Sequence, residues 1–145
     1  MRTDTTTGLG LLQPYLKRVP FTVEVPTVLE STSYPDTCCG DVASRLYWID
    51  KHHKAIRLVF KTGADEYWGV QETNLPNPPI LSDRSFQRAI KGREFQLYYN
   101  GSHLHMVVLR VHDRSYWVVN TLLDSMSNET MLAIATGLKP LTAHK

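Results

Sequence analysis

Residues 92–138 read GREFQLYYNGSHLHMVVLRVHDRSYWVVNTLLDSMSNETMLAIATGL, and this stretch decides the fold. Asn100-Gly101 is a strong hairpin signal, because a two-residue type I′ turn needs positive φ at both central positions. With those two residues in the turn, Tyr98 faces His103, Leu97 faces Leu104, Gln96 faces His105 and Phe95 faces Met106. This register places Phe95, Leu97, Leu104, Met106 and Val108 on an apolar face and Glu94, Gln96, Tyr98, His103 and His105 on the other. Tyr116 to Thr121, β-branched and aromatic, supplies a third strand. Ser127 then reads as a helix N-cap with Glu129 in the first turn. Met131, Leu132, Ala135 and Leu138 follow at helical spacing, and Gly137 and Pro140 stand where a helix stops.

Outward from this block, the upstream chain repeats the strand pattern. Phe21, Val23 and Val25 alternate with Thr22 and Glu24 between Pro20 and Pro26, which suits an edge strand. Residues 31–41 have loop composition. Arg45 to Asp50, Ile56 to Lys61 and Tyr67 to Thr73 read as further strands, with Ile56, Leu58 and Phe60 pointing inward. Three prolines within residues 74–81 exclude helix or central strand. Ser82 is placed to cap a short helix near 82–91 that passes through Phe86 and Ile90 and ends at Gly92. No βαβ rhythm is present, so a parallel nucleotide-binding sheet is not expected. The expected fold is α+β: an antiparallel meander of about six to seven strands, covered on one face by a C-terminal helix, plus the short helix near 82–91. Residues 1–18 are expected to be a polar leader or linker and residues 19–141 a single domain.

Composition narrows the function classes. Hydrophobic content of 42% and charged content of 21% suit an ordinary globular domain. A net charge of +2, with no basic run longer than Lys17-Arg18, does not point to nucleic acid. No run of about 18 apolar residues is present, so no spanning helix is expected, and the first residues lack the apolar core of a signal peptide. The two cysteines, Cys38-Cys39, are adjacent, and the plainest expectation is a pair of free thiols in a loop.

Reactive constellations are sparse. The chain holds no Gly-x-Ser-x-Gly elbow, no Gly-rich phosphate loop and no His-Glu-x-x-His, so no catalytic residue, metal site or cofactor is assigned. His103 and His105, at i and i+2 on one strand face, form the best metal-binding pair. They would need a third ligand such as Cys38, Glu94 or Asp50 to make a small metal-dependent enzyme. The aromatic and amide residues are more suggestive. Tyr67, Trp68, Gln71, Asn74, Tyr98 and Asn120, with His103 and His105, are the candidate ligand-binding set, since aromatic faces beside amides serve glycan and peptide recognition.

VPFTVEVP (19–26), EYWGVQETNLPNPPIL (66–81), KGREFQLYYNGSHLHMVVLR (91–110) and SYWVVNTLLDSMSNETMLAIATGL (115–138) resemble, in this order, the C-terminal extracytoplasmic region of certain actinobacterial LytR-CpsA-Psr proteins. The resemblance covers nearly all of residues 19–138; the Cys38-Cys39 loop and the start without the usual upstream domain depart from it. LytR-CpsA-Psr enzymes are phosphotransferases that attach glycopolymers to peptidoglycan, using arginines and aspartates of a separate catalytic domain with a divalent metal. None of those catalytic positions maps onto these residues. The resemblance therefore implies a non-catalytic accessory domain in the cell envelope, outside the cytoplasmic membrane. Its implied partners are cell-wall glycan or polymer and the family's catalytic domain. The other reading is a purely structural module that docks on that domain.

Overall fold

The computed structural model describes residues 1–37, 43–76, 78, 86–111 and 114–141, so the Cys38-Cys39 loop and the start of the expected 82–91 helix lie outside the described residues. In chain order the elements are β1 (Arg2–Thr3), α1 (Thr7–Leu12) with a 3-10 turn over Gln13–Tyr15, β2 (Val23–Val25), β3 (Val28–Leu29), β4 (Tyr34–Pro35), β5 (Ser44–Trp48), β6 (Lys54–Lys61) and β7 (Tyr67–Thr73). They continue with β8 (Phe86–Ile90), β9 (Arg93–Asn100), β10 (His103–Val111), β11 (Arg114–Val119), α2 (Asn128–Thr136) and β12 (Lys139–Leu141). One antiparallel sheet of eight strands dominates, in the order β4-β6-β7-β11-β10-β9-β8 with β5 also paired to β6. Two small antiparallel pairs, β1 with β3 and β2 with β12, complete the framework.

Strand alternation builds the core. Ile56, Leu58 and Phe60 of β6 and Trp68 and Val70 of β7 all point to one face, where they are buried with Phe95, Leu97, Tyr116 and Val118. The expected inward positions of β6 are the observed ones. Met131, Ile134 and Ala135 of α2 join the same cluster, whereas Leu132 packs only at its margin. Ser127 caps α2 as expected, its hydroxyl accepting from the Thr130 amide at 3.1 Å.

The N-terminal segment, expected to be a linker, is part of this packing. Leu12 is fully buried, Leu9, Leu11, Tyr15 and Leu16 pack against the core, and β1 pairs with β3. Asp4 organises the start of α1. Its carboxylate accepts from the Thr7 hydroxyl at 2.7 Å and the Thr7 amide at 2.9 Å, which holds its pKa well below the usual carboxylate range. These leucines at helical spacing sit between threonines and glycines, a composition that disguises an amphipathic turn as a linker.

Two expectations are corrected by turn chemistry. The short helix expected near 82–91 is instead strand β8 over Phe86–Ile90, paired with β9. Ile90 faces Arg93, and the two residues between them, Lys91 (φ +52°) and Gly92 (φ +77°), form a turn positive at both positions. Gly92 is thus a hairpin residue and not a helix stop. In the second hairpin Asn100 is the last strand residue and faces His103; φ is positive at Gly101 alone, the type II′ pattern. A bulge between Leu104 and Met106 then shifts the register further, so Phe95 faces Leu109 and Tyr98 faces Met106. The extra residue reverses the parity of β10. Val107 and Leu109 enter the main core, while Met106 and Val108, expected beside Phe95, lie on the opposite face with Tyr98 and Trp117.

The open face of the sheet as a candidate binding site

The face opposite the main core is where the sheet presents side-chain chemistry. Cross-strand pairing sets it out in rows. Arg45 of β5 lies opposite Arg57 of β6, Arg57 opposite Gln71 of β7, and Gln71 opposite Trp117 of β11. One row away, Tyr47 pairs with Ala55; on the other side Val59 pairs with Gly69, and beyond it Lys61 pairs with Tyr67. The sequence reason is plain alternation: Arg57 stands between Ile56 and Leu58, which are both buried, so it must face outward.

Two adjoining shallow depressions occupy this face. One, of about 250 Å³, runs over Arg57, Tyr67, Gly69, Gln71 and Leu122. The other, of about 520 Å³, adds Asp36, Arg45 and Tyr47 and shares Arg57, Val59 and Tyr67 with the first. Gly69 forms the floor. A Cβ there would come within 2.5 Å of the Leu58 carbonyl oxygen, so the close approach of β6 and β7 at this point requires glycine. Tyr67 is 48% exposed, with the Lys61 ammonium 5.6 Å from its ring centre. Tyr67, then Asp65 and Tyr34, raise the pKa of that ammonium. Like charges directly opposite one another on a sheet are destabilising. Arg45 and Arg57 are such a pair, and the Asp36 carboxylate lies in the same depression. Guanidiniums bind carboxylate or phosphate bidentately, and the flanking tyrosines offer ring faces to apolar or sugar surfaces.

The candidate residues named from the sequence divide between this face and other environments. Tyr67 and Gln71 come together in the depression. Trp68 points into the core, stacked on Phe60 with centroids 4.6 Å apart, its Nε1–H donating to Ser33 at 2.7 Å. Asn74 is a brace: its Oδ1 accepts from the Lys54 amide at 3.0 Å, and its Nδ2 donates to the His52 carbonyl. Tyr98 lies on the open face but is buried in a small cluster with Met106, Val108 and Trp117. Asn120 is buried, with its Nδ2 donating to the Leu104 and Met126 carbonyls and its Oδ1 accepting from the Thr121 and Met126 amides. Its hydrogen-bonding capacity is committed to shaping the turn after β11.

The histidines stand elsewhere. His103 is exposed at the hairpin turn. His105 Nδ1 lies 2.6 Å from the buried carboxylate of Asp124, which also accepts from Asn100 Nδ2 at 3.0 Å. Glu94 and Asp50 do not assemble with them: among the described residues no group of three or more His, Cys, Asp or Glu side chains could hold a metal. Arg45, Tyr47 and Arg57 were the residues missed by reading the sequence, although strand parity alone puts all three on one face.

A second polar cluster lies on the inner face, where β2 meets the sheet. The buried Glu24 carboxylate takes two bonds from Arg93, at 2.7 and 3.1 Å. Its amide donates to Glu72 Oε1 at 2.9 Å. Glu72 is fully buried, and desolvation, with a smaller contribution from the nearby Glu24 charge, pushes its pKa well above the usual range despite that amide bond. Tyr116 OH donates to the Thr22 carbonyl. Its bonds tie β2 and β9 together. No family model matches the chain, and no curated protein or solved structure is found to be similar to it.

Proposed function

We propose that this chain is a non-catalytic, extracytoplasmic binding domain that works beside a LytR-CpsA-Psr type glycopolymer transferase and holds acidic wall glycan on the open face of its sheet. The resemblance of residues 19–138 to the accessory region of those proteins supplies the setting. The observation that carries the ligand class is the row Arg45, Arg57 and Gln71 with Tyr47 on one side and Tyr67 on the other. Guanidiniums recognise the phosphate or carboxylate of the polymer, and the tyrosines pack against its sugar rings. In the same reading α2 serves as the cover of the inner face, through Met131, Ile134 and Ala135, which leaves the other face for ligand.

The test is a pull-down and NMR shift titration against purified sacculi and solubilised wall glycan, with and without the attached acidic polymer. Binding that needs the polymer, and shifts centred on Arg57, Tyr67 and Gln71, are the expected result. Equal retention by stripped sacculi, or no shifts on this face at millimolar ligand, would overturn the reading.

A second reading, docking onto the catalytic domain, draws on the turn after β11. Leu122 and Leu123 are 94% and 83% exposed there. Asn120 and the 2.7 Å contact between the Thr121 and Ser125 hydroxyls brace the turn that displays them. Isolated exposed leucines need no explanation, but two adjacent ones on a braced turn suit a protein contact. Capture by the isolated catalytic domain, lost in a Leu122→Ser, Leu123→Ser double variant, is the result this reading expects.

A further inference from the structure

The far end of the sheet, at the β5–β6 hairpin, carries a surface that the sequence scatters. Lys17 and Arg18 follow the 3-10 turn, and the fold brings them beside Trp48, Lys51 and Lys54 around one shallow depression. The corner is assembled tightly. Lys54 Nζ donates to the Arg18 carbonyl at 2.5 Å and lies 4.1 Å from the centre of the Trp48 ring. Trp48 and its neighbour Ile49 are nevertheless 63% and 44% exposed. Asp50, at the hairpin tip, accepts from the amides of His52 and His53 and lies 2.7 Å from the His53 ring nitrogen, with its side chain 49% exposed. Four cations thus line one depression with the exposed Trp48, its chain neighbour Ile49 is exposed as well, and the chain apart from those four cations is slightly negative.

We propose that this corner is a peripheral contact site for a bilayer surface rich in anionic headgroups. The two halves of the surface call for different parts of such a partner. Lysine and arginine side chains gain from a negative surface potential, about 1 kcal/mol each near the membrane, which is about fivefold in partitioning. An exposed indole at the headgroup level with basic side chains around it is an arrangement favoured at membrane interfaces. A soluble polyanion would use the cations and leave Ile49 unexplained, and one face of the Trp48 ring is already taken by Lys54. The contact would lie at the opposite end of β6 and β7 from the Leu122–Leu123 turn, since β6 begins at Lys54 and Val119 of β11 pairs Gly69 near the start of β7.

The chain contains its own reporter. Trp68 and Trp117 are buried, so exposed tryptophan emission comes from Trp48. The full chain is mixed with vesicles of phosphatidylcholine alone or with about 30% phosphatidylglycerol, and partitioning and quenching by brominated acyl chains are measured. Expected are a blue shift and bromine quenching with the anionic vesicles only. The Trp48→Phe variant should lose the signal, and a Lys17→Ala, Lys51→Ala pair should lower partitioning by about fivefold per lysine. Ile49→Ser should weaken binding at unchanged charge. All of these side chains are at the surface, and circular dichroism checks that each variant folds. Absence of partitioning into anionic vesicles would overturn the proposal. So would salt-sensitive binding without bromine quenching, or equal binding of soluble polyphosphate that displaces the protein from vesicles, since both outcomes describe a polyanion site.

Discussion

The two faces of the large sheet are made by the same strands and obey opposite rules. On the inner face β6 and β7 contribute Ile56, Leu58, Phe60, Trp68 and Val70, all buried, and the ionisable groups present are enclosed: Glu24 with Arg93, and Glu72 on the Glu24 amide. On the open face the intervening residues of those strands are Arg57, Val59, Lys61, Tyr67, Gly69 and Gln71. Burial of apolar area makes the first face the source of stability. The second sets two arginines across from each other beside tyrosine and glutamine, side chains that burial does not need. The lesson is that alternation in a strand separates the residues that hold the fold from those that can recognise something, one position at a time.

The largest expected effect lies at the inner-face ion pair. Arg93→Met removes the partner of the buried carboxylate that β2 contributes and leaves Glu24 with an uncompensated charge. The expected loss is about 3–5 kcal/mol, at the low end because the guanidinium itself is part-exposed, and urea unfolding measures it. An unchanged midpoint would mean that β2 and β12 contribute nothing to the global transition. Gly69→Ala should cost about 1–3 kcal/mol, although it lies on the open face, because its Cβ meets backbone and not a movable side chain. That variant sharpens the contrast: the open face tolerates changes of chemistry, but not of backbone spacing.

Glu72→Gln acts in the opposite direction, with a smaller effect. The folded-state pKa of Glu72 lies above the unfolded value, so its contribution to stability is complete below the ordinary carboxylate range and is lost as pH rises through the folded value. Wild type should therefore lose stability across that window. The glutamine variant should be more stable than wild type at neutral pH, with the difference vanishing in acid. Parallel pH profiles from thermal melts for the two proteins would show that Glu72 is not held neutral.

Much of this division was legible in the sequence, and the exceptions have local causes. The strands β5, β6, β7, β9, β10 and β11 follow alternation and turn residues, and the cap at Ser127 follows side-chain type. The face of Met106 and Val108 was not legible, because one bulge residue near His105 inverts parity and no residue type marks a bulge of this kind. Gly92 served equally as helix stop or turn residue, and only the pairing of Phe86–Ile90 with β9 decides between them. At the site, Tyr67 and Gln71 were found because aromatics beside amides attract notice. Arg45 and Arg57 were not, because arginines in strands ordinarily read as a solvated face. Asn120 and Asn74 looked like ligand-binding amides, yet backbone groups of neighbouring turns use them.

The smallest stability effect belongs to the residues on which the functional reading depends most. Arg57→Ala and Tyr67→Ala truncate exposed side chains on the open face, and each should change folding stability by less than about 0.5 kcal/mol. Affinity for acidic wall glycan should fall by about tenfold in either variant if these two side chains are anchors of the contact. Gln71→Ala, directly opposite Arg57, should show a smaller loss. A melt and a titration on the same samples separate the two faces: inner-face variants move the first, and truncations of the exposed open-face side chains move the second. If Arg57→Ala and Tyr67→Ala left glycan affinity untouched while remaining folded, the open face would be reduced to a solvated surface, and the recognition role would have to pass to the Leu122–Leu123 turn.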